Sequence, residues 1–190
     1  MRSSAASTDR SDDGKPITGR LGCKPVTPLP TSKAFADDEQ SVLLGYLTYH
    51  RTVLARKVEG VSDEDARGAV CPPSSVTLLG LVRHMTDVER WWFRRALQAC
   101  HITGLFDDDV EWQVPDDATV GEALAAYWDE IAVIDQYLST ASMDELDRLE
   151  RDGFEHHALR RMIVHMIEEY ARHCGHADLL RERIDARIGH

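Results

Sequence analysis

Beyond residue 37, apolar residues recur at helical spacing in four successive stretches, and no alternating strand pattern competes with them. The first stretch runs from about Asp37 to Glu59, opens on acidic residues and has Gly60 just past its end. The second follows the Pro72-Pro73 break and the candidate caps Ser74 and Ser75, and runs from near Thr77 to about Cys100. The third opens on Thr119-Val-Gly-Glu122, a capping-box pattern, and reaches about Thr140. The fourth runs from near Ala158 to about Ile188 and stops at Gly189. In a chain of 190 residues these segments predict one all-α domain, a four-helix bundle over residues 35–190. The connection HITGLFDDDVEWQVPDD between the second and third helices is long enough to cross one end of that bundle. Residues 1–34 hold four of the seven prolines among Ser, Thr and Gly, a composition that buries little surface, and are expected to form a flexible leader.

Charge narrows the partners. Asp+Glu 33 against Lys+Arg 22 leaves a net charge of -11, which removes the diffuse attraction that nucleic acid or an anionic membrane surface would need. The longest apolar runs, such as Val76 to Val82, fall far short of the roughly 18 residues of a membrane span. The N-terminus has no apolar core of a secretory signal, so a cytoplasmic location is expected. Cys23, Cys71, Cys100 and Cys174 form no CxxC pair, which suits reduced thiols. The cations comprise 18 Arg and 4 Lys, a bias that points to a GC-rich genome.

The chemistry lies in polar residues on apolar helix faces. At about 100° per residue, His84 falls on the margin of the second helix's apolar arc, while Glu169 and His173 fall at the edge and inside that of the fourth. Glu169 and His173 are one turn apart, which sets their Cβ atoms about 5–6 Å from each other. A carboxylate facing a core needs a partner. Two readings satisfy it: a salt bridge from Glu169 to Arg172 or another arginine with His173 hydrogen-bonded in place, or a divalent metal held by Glu169, His173 and, from the second helix, His84. Three protein ligands with an open fourth position make a catalytic zinc site. His165 and His176 lie further toward the polar side and read as rim residues, with His176 a candidate to support a ligand or reach a substrate. His50 is partly core-facing; His101, His156, His157 and His190 need no special role.

Arg51 lies at the centre of the first helix's apolar arc and Glu89 within that of the second, so the two are expected to pair inside the bundle. Trp91, Trp92 and Phe93 read first as core and interface mass, with one indole lining a pocket as the alternative. Cys174 points away from the candidate triad and reads as core.

The segments LLGLVRHMTDVERWWFRR, HMIEEYARHCGHADLLRERID and YHRTVLARKVEGVSDE resemble the DinB-like superfamily, and within it the actinobacterial mini-circle branch, over about Asp37 to Asp185. The resemblance implies a four-helix bundle with a metal held by a triad from the second and fourth helices. Many members use three histidines. Glu169 in the middle position is similar to the N-terminal domain of the mycothiol-dependent maleylpyruvate isomerases, whose His, Glu, His set holds zinc, so the implied triad is His84, Glu169 and His173. The carboxylate leaves nickel, iron or manganese open beside zinc. The implied chemistry is activation of a low-molecular-weight thiol such as mycothiol for attack on a small electrophile, in transfer or thiol-assisted isomerisation. Arg172 or Arg83 is then a candidate to hold a carboxylate of substrate or thiol. Metal-dependent hydrolysis is one alternative. A non-enzymatic binding module, homodimeric through aromatic and arginine surfaces, is the other.

Overall fold

The computed structural model describes residues 38–105, 112–150 and 155–189; the expected leader lies outside them. Four long helices pack around one core: α1 (Glu39–Lys57), α3 (Leu78–Glu89), α4 (Val120–Leu138) and α5 (Leu159–Asp185), with the short α2 (Asp63–Arg67) between the first two. Among the described residues there is no strand, only one isolated antiparallel bridge between Leu146 and Ala158. The elements among the described residues are all helices, as the periodicity requires.

Local chemistry sets each helix start. Asp38 caps α1 by accepting from the Ser41 amide at 2.9 Å. The Thr77 hydroxyl, and not the expected Ser74 or Ser75, caps α3 by accepting from the Gly80 amide at 2.9 Å, because the helix begins only at Leu78. Thr119 accepts from the Glu122 amide at 3.2 Å while its hydroxyl donates to the Glu122 carboxylate at 2.8 Å, so the expected box closes through side chains. No side chain caps α5. The amides of Leu159 and Arg160 instead donate to the carbonyls of Glu145 and Met143 at 2.7 and 3.1 Å, which satisfies donors that a helix start leaves open.

Three boundaries depart from the periodic pattern. Ser62 accepts from the Asp65 amide and starts α2, a helix too short to carry an apolar period. The second helix does not stay α-helical to Cys100: after Glu89 it winds as a π-helix over Arg90–Leu97. Its wider turns send Phe93, Ala96 and Leu97 inward while Arg90 and Arg94 both reach the buried Glu130 of α4, at 2.7 and 3.0 Å. The last helix ends at Asp185, where Ala186 takes a left-handed conformation (φ 58), three residues before Gly189.

α1 lies along α5 and α3 along α4, with α3 also touching α5 and α1. Leu47, Leu54, Leu81, Met85, Ile134 and Met166 fill the shared interior. Charges sit within it. Arg51 Nε and Nη2 donate to Glu89 Oε1 and Oε2, both at 2.6 Å, and Arg51 Nη1 donates to Asp135 at 2.7 Å. The Tyr170 hydroxyl donates to Glu89 at 2.8 Å, and the Tyr127 hydroxyl donates to Tyr170 at 2.9 Å. Burial, and then the Glu89 charge, raise both tyrosines well above the ordinary phenol range. This network joins all four long helices.

Its members differ in exposure: the Glu89 side chain is 0% exposed and that of Asp135 50%. Removing Glu89 strands a buried guanidinium, so Glu89→Ala is expected to cost about 3–5 kcal/mol in urea unfolding. Asp135→Asn is expected to cost less than about 1 kcal/mol. Equal losses would contradict the assignment of Glu89 as the buried anchor.

Candidate metal and thiol site

α3 and α5 present their histidines to each other beside this network. The rings of His84 and His173 lie 4.8 Å apart between centroids, at 68°. His173 is buried and His84 half-buried. His173 Nε2 faces Glu169 Oε2 at 3.4 Å, and its Nδ1 faces His176 Nδ1 at 3.3 Å. Each ring nitrogen of His173 therefore has its own neighbour, the carboxylate on one side and the exposed His176 on the other. Trp112 stands 5.0 Å from His84 at a 30° tilt, and closes the site from the loop before α4.

Glu169 has a second engagement. Its Oε1 accepts from Arg172 Nη1 at 2.9 Å, and the same guanidinium reaches Glu168 at 3.2 Å. Both sequence readings of Glu169 thus have a physical counterpart: the arginine salt bridge is formed, and His173 and His84 are adjacent. Arg172 is half exposed and divided between two acids. Arg83, next to His84, is buried.

Burial, then the nearby His84 ring, lower His173 to about 4, against a smaller opposing pull from Glu169. The imidazole is neutral at pH 7, the state a metal ligand requires. His84, Glu169 and His173 are donors of the types that hold a divalent ion, and they stand on two facing helices. As the side chains stand, no three His, Cys, Asp or Glu groups among the described residues close around one point. Glu169 turns Oε2 toward His173 while Arg172 holds its Oε1.

The remaining candidates separate clearly. His50 is half-buried and burial lowers its pKa. His156 pairs with the buried Asp147 at 3.2 Å, and His101 is exposed. His190 lies outside the described residues. Cys174 is buried, with its thiol pushed up to about 12 by burial first, so it is no nucleophile at neutral pH. Trp112, in an aperiodic loop, is not singled out by the sequence; Trp92 and His165 are, as aromatic mass or pocket lining and as a rim residue, but their contact at 4.7 Å is not.

Two outcomes follow from the protonation states. In metal-stripped protein the unfolded chain holds a proton on residue 173 up to about pH 6.5, whereas the native ring releases it near 4. Stability from this group is therefore fully present above about pH 6.5 and lost as pH falls toward 4; His173→Asn should flatten the urea midpoint across that window. An unchanged slope would contradict the burial assigned to the ring. Cys174 should resist iodoacetamide at pH 8 in native protein while reacting after unfolding; rapid native labelling at Cys174 in a peptide map would contradict its burial.

The geometry can be set beside known families. The family model described as Mycothiol-S-transferase matches residues 42–186, which include every residue of the site from His84 to His176. No curated protein matches the chain. No helix among the described residues is long and apolar enough to cross a membrane. An all-helical fold with facing histidines on α3 and α5, matched over most of its length, makes this chain a member of the mycothiol-S-transferase family within the DinB-like superfamily.

Proposed function

We propose that the protein transfers a low-molecular-weight thiol of the mycothiol type to a small electrophile in the cytoplasm, at a divalent metal held by His84, Glu169 and His173. The observation that carries this reading is the meeting of His84 with His173, a buried neutral imidazole, while Glu169 reaches the same ring from one turn away. When bound, the ion lowers the pKa of a thiol that joins it. Zinc is the first candidate, with nickel, iron and manganese admitted by the carboxylate.

The chain's own groups prepare the site. His173 turns Nε2 toward Glu169, and the Nδ1 contact with His176 holds the ring from its other side. Glu169 supplies one negative charge, so a divalent ion held with two imidazoles keeps net positive charge for an anionic sulfur. Arg172 competes with the ion for that carboxylate, and once released it is a cation at the rim for a carboxylate of either substrate.

The Arg172–Glu169 pair also favours a second reading, a metal-free binding module in which the pair is structural. Metal analysis of purified protein separates them. Wild type is expected to hold one equivalent of metal and to form thioether from mycothiol and 1-chloro-2,4-dinitrobenzene. His84→Ala and Glu169→Ala should lose both, and His176→Ala should weaken metal affinity by about 10–100-fold. Metal-free wild type favours the module, and turnover with water and no thiol favours hydrolysis; either result rejects the proposal.

A further inference from the structure

The π-helical segment leaves an aromatic surface that thiol activation does not use. Trp92 is half-buried, and the rings against it are Trp91 at 4.8 Å, His165 at 4.7 Å and His157 at 6.2 Å. Among the described residues no guanidinium or ammonium stacks on Trp92, and its indole N–H has no hydrogen-bond partner. That nitrogen is also not among the polar atoms sealed from solvent without a partner. Its position is telling. His165 stands one turn before Glu169 on α5, with Nε2 3.9 Å from the Glu169 carboxylate, so the Trp92 surface adjoins the proposed thiol site.

The chemistry of this surface selects its occupant. An indole flanked by two imidazoles and a second indole offers flat, polarisable faces and one N–H donor. Such a surface takes a planar unsaturated group by stacking, with ring centroids about 4.5–7 Å apart, and gives a saturated group of the same size only its apolar area. π-helical turns inside longer helices are frequent at functional sites. Here the π winding presents Trp92 to α5 while Phe93 stays in the core.

We propose that Trp92, with His165 beside it, forms the acceptor subsite, which binds the planar, aromatic or conjugated part of the electrophile next to the thiol. This rests on the thiol-transfer reading for the identity of the site, but its binding test does not depend on metal.

The test titrates 2-naphthol, a flat unreactive probe, and decahydro-2-naphthol, its saturated counterpart, into full-length protein. Calorimetry reads affinity, and indole N–H resonances read location. The naphthol should shift the Trp92 resonance and bind about tenfold more tightly than the saturated alcohol. Trp92→Ala should lose about tenfold in naphthol affinity while Trp92→Phe, which keeps a ring, retains most of it. In turnover with the aromatic electrophile, Trp92→Ala should raise KM with kcat kept. Equal affinity for the two alcohols, a shift confined to Trp128, or naphthol binding equally tight in Trp92→Phe and Trp92→Ala would overturn the subsite. Chelated protein should bind the naphthol as tightly as metal-loaded protein. Loss of transfer on chelation with naphthol binding intact thus bears on the metal alone, whereas loss of naphthol binding on chelation would overturn the subsite as drawn.

Discussion

Arg51 and Glu89 are both sealed from water, where each charge would cost several kcal/mol if left alone. The fork of two 2.6 Å hydrogen bonds offsets that cost only when α1 and α3 stand in one register. Tyr170 adds α5 through the same Glu89 oxygen, and Asp135 and Tyr127 add α4. An apolar core tolerates sliding by a turn; this network does not, because any slip leaves a buried charge unpaired. Its contribution is specificity of arrangement more than net stability.

The site inherits that register. Tyr170 meets Glu89 where α3 and α5 run antiparallel. His84, five residues before Glu89, meets His173, three residues after Tyr170. Trp92, three residues after Glu89, meets His165, five residues before Tyr170. The buried carboxylate is therefore a pivot with the proposed metal triad on one side and the aromatic subsite on the other. Glu169 lies between the two, and its carboxylate is within 4 Å of both His165 and His173. The pair of Arg90 and Arg94 with Glu130 ties the π segment to α4 and holds the far side of Trp92's helix in place.

Much of this was legible from residue types because burial leaves a period. Arg51 and Glu89 stood out as charges inside apolar arcs, His84 and Glu169 as polar groups at the edges of two such arcs, and His173 as one inside the second of them. Those signals are local and survive without knowing the fold. What escaped is non-local or too short to repeat. α2 spans five residues and has no apolar face to declare it. The π winding has no α-helical period to announce it, and its Arg90 and Arg94 meet Glu130 on another helix, so at α-helical spacing Trp92 read as core or interface mass with a pocket-lining indole as the alternative. Trp112 reaches His84 from an aperiodic loop. The partner choice of Glu169 was open in the sequence for a physical reason: arginine three residues on and histidine four residues on compete for one carboxylate, and both contacts form.

That competition makes the location of a bound ion the decisive measurement. Crystals of zinc-loaded protein, with diffraction data collected on both sides of the zinc edge, would place the ion by its anomalous signal. The account predicts one peak about 2.0–2.2 Å from a nitrogen of His84, a nitrogen of His173 and an oxygen of Glu169, with Arg172 released from that carboxylate. A peak elsewhere, or none with Arg172 still seated on Glu169, would contradict it.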